Sequence, residues 1–89
     1  MDYTELRNKL KGLDYDNAVI EITEYITAHP DDDRAYTLRG MKYWGAGQRS
    51  LAIGDYLAAV RINPDSTAAE ALKAANEILD YRNKDLYNP

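Results

Sequence analysis

The stretch DRAYTLRGMKYWGAGQRSLAIGDYLAAVRINPDS, residues 33–66, decides the fold. Tyr36, Gly40, Tyr43 and Trp44 recur at steps of four, three and one, which places them on one side of a helix running from about Asp33 to Ala46. Gly45-Ala46-Gly47 ends that helix, glycine supplying the left-handed backbone angle of a tight exit. Ser50 then stands where a cap is needed for a second helix with the apolar stripe Leu51, Ala52, Tyr56, Ala59, Val60 and Ile62. Asn63-Pro64 stops it, since the proline ring cannot continue the hydrogen-bond ladder. The unit is helix, turn, helix, proline.

Working outward, the same unit appears upstream. A shift of 34 residues lays Ala18 on Ala52, Pro30 on Pro64 and Asp31 on Asp65. It also lays Val19 on Ile53, Ile22 on Tyr56 and Ile26 on Val60, so the apolar stripe transfers with the punctuation. Before it, Leu6, Leu10 and Leu13 mark one face of a first helix. Asp14 or Asp16 caps the next, whose inner face is Ala18, Ile22, Tyr25, Ile26 and His29. Downstream, Asp65-Ser66-Thr67 opens a last helix with Ala68, Ala71, Leu72, Ala75, Ile78 and Leu79 inward, expected to end near Tyr81 before a polar, frayed tail over 83–89. Strand and hairpin signals are absent. The expectation is all-α: five helices in a single domain over 1–82.

Length and composition agree with a stacked architecture. The chain has 89 residues and no Cys, and its one His rules out a zinc cage, so neither disulfide nor such a metal site can staple it. Eleven Lys+Arg against fifteen Asp+Glu give a net charge of −4, and neither half carries a basic excess. That balance speaks against nucleic acid and anionic membrane as partners and slightly favours a basic one. No apolar run approaches the roughly 20 residues of a membrane span, and Met1-Asp2-Tyr3-Thr4-Glu5 does not begin a leader peptide, so a cytoplasmic setting is expected.

Residues 33–66 read Tyr36-x2-Arg39-Gly40-x2-Tyr43, then Ala52-x3-Tyr56, Ala59 and Asn63-Pro64. This pattern resembles the tetratricopeptide repeat, a 34-residue unit with aromatic-x2-Leu-Gly-x2-Tyr, Ala-x3-aromatic and a closing Pro. Tyr36 replaces the family's Trp, Tyr56 its Phe and Arg39 its Leu; the last is a change of chemistry that must alter the local packing. Residues 1–32 resemble a repeat in their second half, through Tyr15, Ala18, Ile22 and Pro30, whereas Asp2, Glu5, Leu6 and Lys9 depart from the pattern. Residues 67–81 resemble the single helix that closes such arrays.

The resemblance implies a right-handed superhelix of antiparallel helix pairs. Tyr36, Tyr43 and Tyr56 would be its large knobs, with Gly40, Ala52 and Ala59 small where helices cross and Pro64 setting the angle between repeats. It also implies a non-catalytic module that holds a protein or peptide segment in a shallow groove, with no cofactor. By helix spacing the groove side carries Arg34, Thr37, Met41 and Trp44, joined by Lys11 or Arg7 from the first helix. A structural unit that self-associates, as a homodimer or in a longer array, is the alternative.

Catalytic readings find little material. His29 is the only imidazole and sits at a helix end, where it serves the last carbonyls. Ser50, Ser66 and the threonines have no base within sequence reach. Asp31-Asp32-Asp33 lacks the alternation, central Gly and distal Glu of a calcium loop and reads as a cap. Glu21 and Glu24 lack the Glu-x-x-His companion of a di-iron site, and Gly45-Ala46-Gly47 lacks the Lys of a phosphate loop.

Overall fold

The computed structural model describes residues 1–87, with side chains described for residues 1–78. It is all-α, with five helices: α1 (Tyr3–Leu10), α2 (Tyr15–Ala28), α3 (Asp33–Gly45), α4 (Arg49–Ile62) and α5 (Ala68–Tyr87). Each helix packs mainly against the next in the chain, and the α3–α4 pair is the most intimate.

The helix starts follow from short acidic side chains. Asp2, Asp14 and Asp32 cap α1, α2 and α3, accepting hydrogen bonds from the backbone N–H of Glu5 (2.8 Å), Asn17 (2.9 Å) and Arg34 (3.1 Å). At the end of α3, Gly47 takes φ 81°. Its N–H donates to the Trp44 carbonyl (3.0 Å) and that of Gln48 to the Tyr43 carbonyl (2.9 Å). This is the glycine-terminated C-cap in which the next two N–H groups fold back onto the last turn. Because the turn closes so early, α4 begins at Arg49 with Gln48 as its N-cap and no side-chain capping bond. Ser50, expected as the cap, lies inside the first turn.

The 34-residue spacing is written into the turns. The N–H of His29 donates to the Tyr25 carbonyl (2.8 Å), as that of Asn63 does to Ala59 (2.8 Å). Asp32 N–H reaches the His29 carbonyl (3.1 Å) and Ser66 N–H the Asn63 carbonyl (2.9 Å). Asp32 accepts from the N–H two residues on at 3.1 Å, and Ser66 Oγ does the same for Ala68 at 3.1 Å. Aspartate and serine are chemically different, but both offer an oxygen at the cap.

Two apolar clusters hold the helices together. Leu6, Leu10, Ala18, Ile22, Tyr25, Ile26 and Ala35 join α1, α2 and α3. Ala52, Tyr56, Ala59 and Ala68 join α4 and α5, with Tyr43, Trp44 and Leu72 against them. Tyr36 packs on both clusters and bridges them. Leu6 and Ile22 are fully buried, each stabilising the fold by about 2 kcal/mol. The second cluster is built from alanines, so it depends on close backbone approach. At Gly40 there is no room even for a methyl: a Cβ would sit 2.7 Å from Tyr56 Cε1 and 3.3 Å from the Ala52 carbonyl oxygen.

The apolar stripes are narrower than the sequence suggests. Leu51 (52% exposed), Ile62 and Ile78 face solvent, because small residues already complete the contact between neighbouring helices. Leu13 lies beyond the end of α1 yet still packs on the first cluster, and His29 is exposed. The backbone of α5 continues to Tyr87, where a helix ending near Tyr81 and a frayed tail were expected. Residues 82–85 lose the apolar periodicity but contain no Gly or Pro to break a helix. The inward placement expected of Leu79 lies outside the described side chains.

Candidate functional site

Steps of three, four and three bring Arg34, Thr37, Met41 and Trp44 onto one face of α3, and two adjoining clefts open along it. One, of about 430 Å³, runs between α1, α3 and the α4–α5 turn; Arg7, Arg34, Thr37, Met41, Asp33 and Asp65 are among its lining residues. The other, of about 440 Å³, lies between α3 and the start of α5 and is lined by Met41, Trp44, Tyr56, Thr67 and Ala71. Thr37, Met41 and Thr67 line both, so the clefts form one continuous groove. Of the two alternatives from α1, Arg7 is in the lining and Lys11 is not.

The four side chains differ in availability. Met41 is 59% exposed. Trp44 is half-buried against the second cluster, with the Arg49 guanidinium 4.9 Å from its ring centroid. Thr37 is buried; its Oγ donates to the Asp33 carbonyl (3.0 Å) and also bonds Ser66 Oγ (3.2 Å), so it serves as groove wall and ties α3 to the α4–α5 turn. Arg34 is held in place by a fork to Asp32, Nε to Oδ1 at 2.9 Å and Nη2 to Oδ2 at 3.0 Å, and it covers the Tyr3 ring at 4.5 Å.

That fork belongs to a network at the α2–α3 turn. Tyr25 Oη donates to Asp32 Oδ2 at 2.6 Å, and the Tyr25 ring stacks on His29 at 4.3 Å. The Arg34 guanidinium holds the Asp32 carboxyl below the usual range, helped by the Tyr25 hydroxyl. Burial, then the bond to Asp32, pushes the Tyr25 phenol up to about 12. His29 is therefore a stacking partner at a helix end, and Asp32 is a cap.

A second charged device lies on the other side of α3 and was not anticipated. Arg39 forks onto Asp55 of α4, Nε to Oδ2 at 2.8 Å and Nη2 to Oδ1 at 2.7 Å, while its Nη1 donates to Thr23 Oγ of α2 at 3.2 Å. The side chains are only 18% and 8% exposed, and the guanidinium lies 5.7 Å from the Tyr43 ring centroid and 6.0 Å from that of Tyr36. The Asp55 carboxylate holds Arg39 even more firmly charged than usual. A signal for Asp55 was present: it falls among Ala52, Tyr56 and Ala59 on the buried side of α4, while Arg39 stands where the resembled repeat has Leu. Tyr3, Tyr56, Thr67 and Ala71 were likewise missed as groove residues, since each comes from outside α3, Thr67 from the α4–α5 turn and the others from neighbouring helices.

Among the described residues no group of three His, Cys, Asp or Glu is placed to hold a metal ion, and no helix is long and apolar enough to cross a membrane. Compared with protein-family models, with curated proteins and with solved structures, the chain matches none.

Proposed function

We propose that the chain is a non-catalytic protein-interaction module of tetratricopeptide type, a right-handed superhelix of helix pairs that holds a protein segment along the open face of α3. The repeat part of this reading draws support from the turn hydrogen bonds that recur at a spacing of 34 and from the Gly40–Tyr56 contact. The interaction part is carried by one observation: Met41, more than half exposed, lies beside half-buried Trp44 in a groove that continues past Arg34 to Arg7. Adaptable and rigid apolar side chains side by side in a concave surface are what a docked segment uses as anchor points.

Selection of peptides from a randomised display library on the immobilised protein tests this. Enriched peptides should lose at least tenfold in affinity on Met41→Glu and keep it on Leu57→Glu, which lies away from the groove. No enrichment, or binders indifferent to Met41→Glu, would overturn the reading. Self-association is the second reading, carried by exposed Ile20 on α2 and Leu51 and Leu57 on α4. Sedimentation at rising concentration decides it: a strict monomer removes it.

A further inference from the structure

The groove is bounded at its arginine end by the shortest helix of the chain. α1 has eight residues, fewer than the roughly twelve to fifteen a helix needs to persist in water without packing. Its contact with α2 is the slightest between successive helices. Leu6 and Leu10 carry that contact, both sunk in the first cluster. The other ties lie at the surface: Lys9 Nζ meets Glu21 Oε2 at 2.9 Å, and the Tyr3 ring lies 4.5 Å from the Arg34 guanidinium. Surface pairs such as Lys9–Glu21 add little.

The turn after α1 has the makings of a hinge. Lys11 N–H reaches the Asn8 carbonyl at a long 3.3 Å, and nothing lies within 4 Å of the place where a side chain on Gly12 would begin. Beyond it, Leu13 packs on the first cluster, and Asp14 caps α2 through the Asn17 N–H at 2.9 Å. α2 therefore has its own cap and its own anchor, neither of them supplied by α1.

α1 is also a wall of the groove. Tyr3 and Arg7 line the cleft of about 430 Å³ together with Arg34, Thr37 and Met41. Arg34 joins the two sides, forked onto Asp32 while its flat face covers Tyr3. With α1 away, this cleft loses one wall.

We propose that α1 is a strap hinged at residues 11–13 that opens and closes while α2, α3 and α4 stay folded, and that its docking completes the Arg7–Arg34 end of the groove. This rests on the interaction reading above and states how the same site is regulated. A segment lying along the groove against Tyr3 and Arg7 binds the closed form and holds α1 down.

Amide hydrogen exchange of the full chain reads the opening directly. In the free protein, amides of residues 6–10 should exchange at least about tenfold faster than those of Ala52 and Tyr56 in α4. Low urea should speed the α4 amides and barely touch those of α1, because local opening exposes little surface. Gly40→Ala, which loosens the α3–α4 contact, should likewise speed α4 and leave α1 unchanged. Lys9→Glu, outside the groove and facing Glu21, should speed the α1 amides about two- to fivefold. A library-selected peptide at ten times its Kd should slow the α1 amides about tenfold. Equal protection of α1 and α4, or equal response of both to urea and to Gly40→Ala, would overturn the proposal by showing that α1 opens only when the whole chain unfolds. A peptide that needs Met41 yet leaves α1 exchange unchanged would overturn the gating and leave the interaction reading standing. A library without binders would sink the interaction reading, and exchange in the free chain would still decide whether α1 is a strap.

Discussion

Arg39 of α3 grips Asp55 of α4 through two hydrogen bonds of 2.8 and 2.7 Å, inside the most closely packed helix pair of the chain. The side chains are nearly enclosed, and Tyr36 and Tyr43 flank the guanidinium. Removing one partner of such a pair leaves a desolvated charge, whereas removing both is often neutral. Arg39→Leu alone or Asp55→Leu alone is therefore expected to destabilise the protein by about 3–5 kcal/mol, and Arg39→Leu/Asp55→Leu by less than about 1 kcal/mol. Urea unfolding of the two single variants and the double variant measures the coupling. Additive losses would show that the pair is not the unit it is taken for.

Gly40 is fixed by contact rather than by backbone angle. Alanine is the better helix former by about 1 kcal/mol. Yet its methyl would stand 2.7–2.8 Å from the Tyr56 ring. Overpacking typically costs about 1–3 kcal/mol, so Gly40→Ala should be net destabilising. In a Tyr56→Leu background, where the opposing side chain is shorter and can rotate away, the same change should become neutral or stabilising. Equilibrium unfolding of the four proteins in the cycle checks it.

The Tyr25–Asp32–Arg34 network sets the expected pH limits. Asp32 titrates lower folded than unfolded, so its contribution is complete above pH about 4 and is lost as acid protonates the folded carboxyl. Tyr25 titrates at about 12 when folded, so its contribution is complete below pH about 10 and is lost between there and about 12. Unfolding free energy should fall in both windows, with Asp32→Asn flattening the acid limb and Tyr25→Phe the alkaline one. A pH series of denaturant melts, joined to ultraviolet titration of the phenols, resolves the two.

Groove and core should separate cleanly by stability. Met41→Glu, at an exposed position, should change stability by less than about 0.5 kcal/mol. Trp44→Ala removes a half-buried aromatic that packs on Tyr56 and its neighbours and should cost about 1–3 kcal/mol. Denaturant melts of both variants determine which can be used in binding assays as a folded protein.

How much of this could be read from the sequence divides along physical lines. Punctuation transfers directly: Pro30, Pro64 and Gly47 impose backbone constraints that no tertiary contact can cancel, and Asp32 caps α3 where the acidic run suggested. Small residues also transferred, since Gly40 and Ala52 sit at the α3–α4 contact. Charged burial did not. The spacing of Asp55 among Ala52, Tyr56 and Ala59 put it on the buried side, but a carboxylate by its chemistry reads as solvated, and its pairing with Arg39, sixteen residues earlier, is what lets it be buried. Leu51 and Ile62 misled in the opposite direction, because hydrophobic character cannot announce that alanines have already filled an interface. The groove was legible on α3 alone; Tyr56 and Ala71 reach it through packing between helices.

The central claim is that the face of α3 bearing Arg34, Met41 and Trp44 is a docking surface for a protein segment. Its most direct test is a ¹⁵N NMR titration with a library-selected peptide. The largest shifts are expected at Arg34, Met41 and the Trp44 indole, extending to Thr67 and Ala71. Shifts centred on Ile20, Leu51 and Leu57, or spread evenly along the five helices, would refute it.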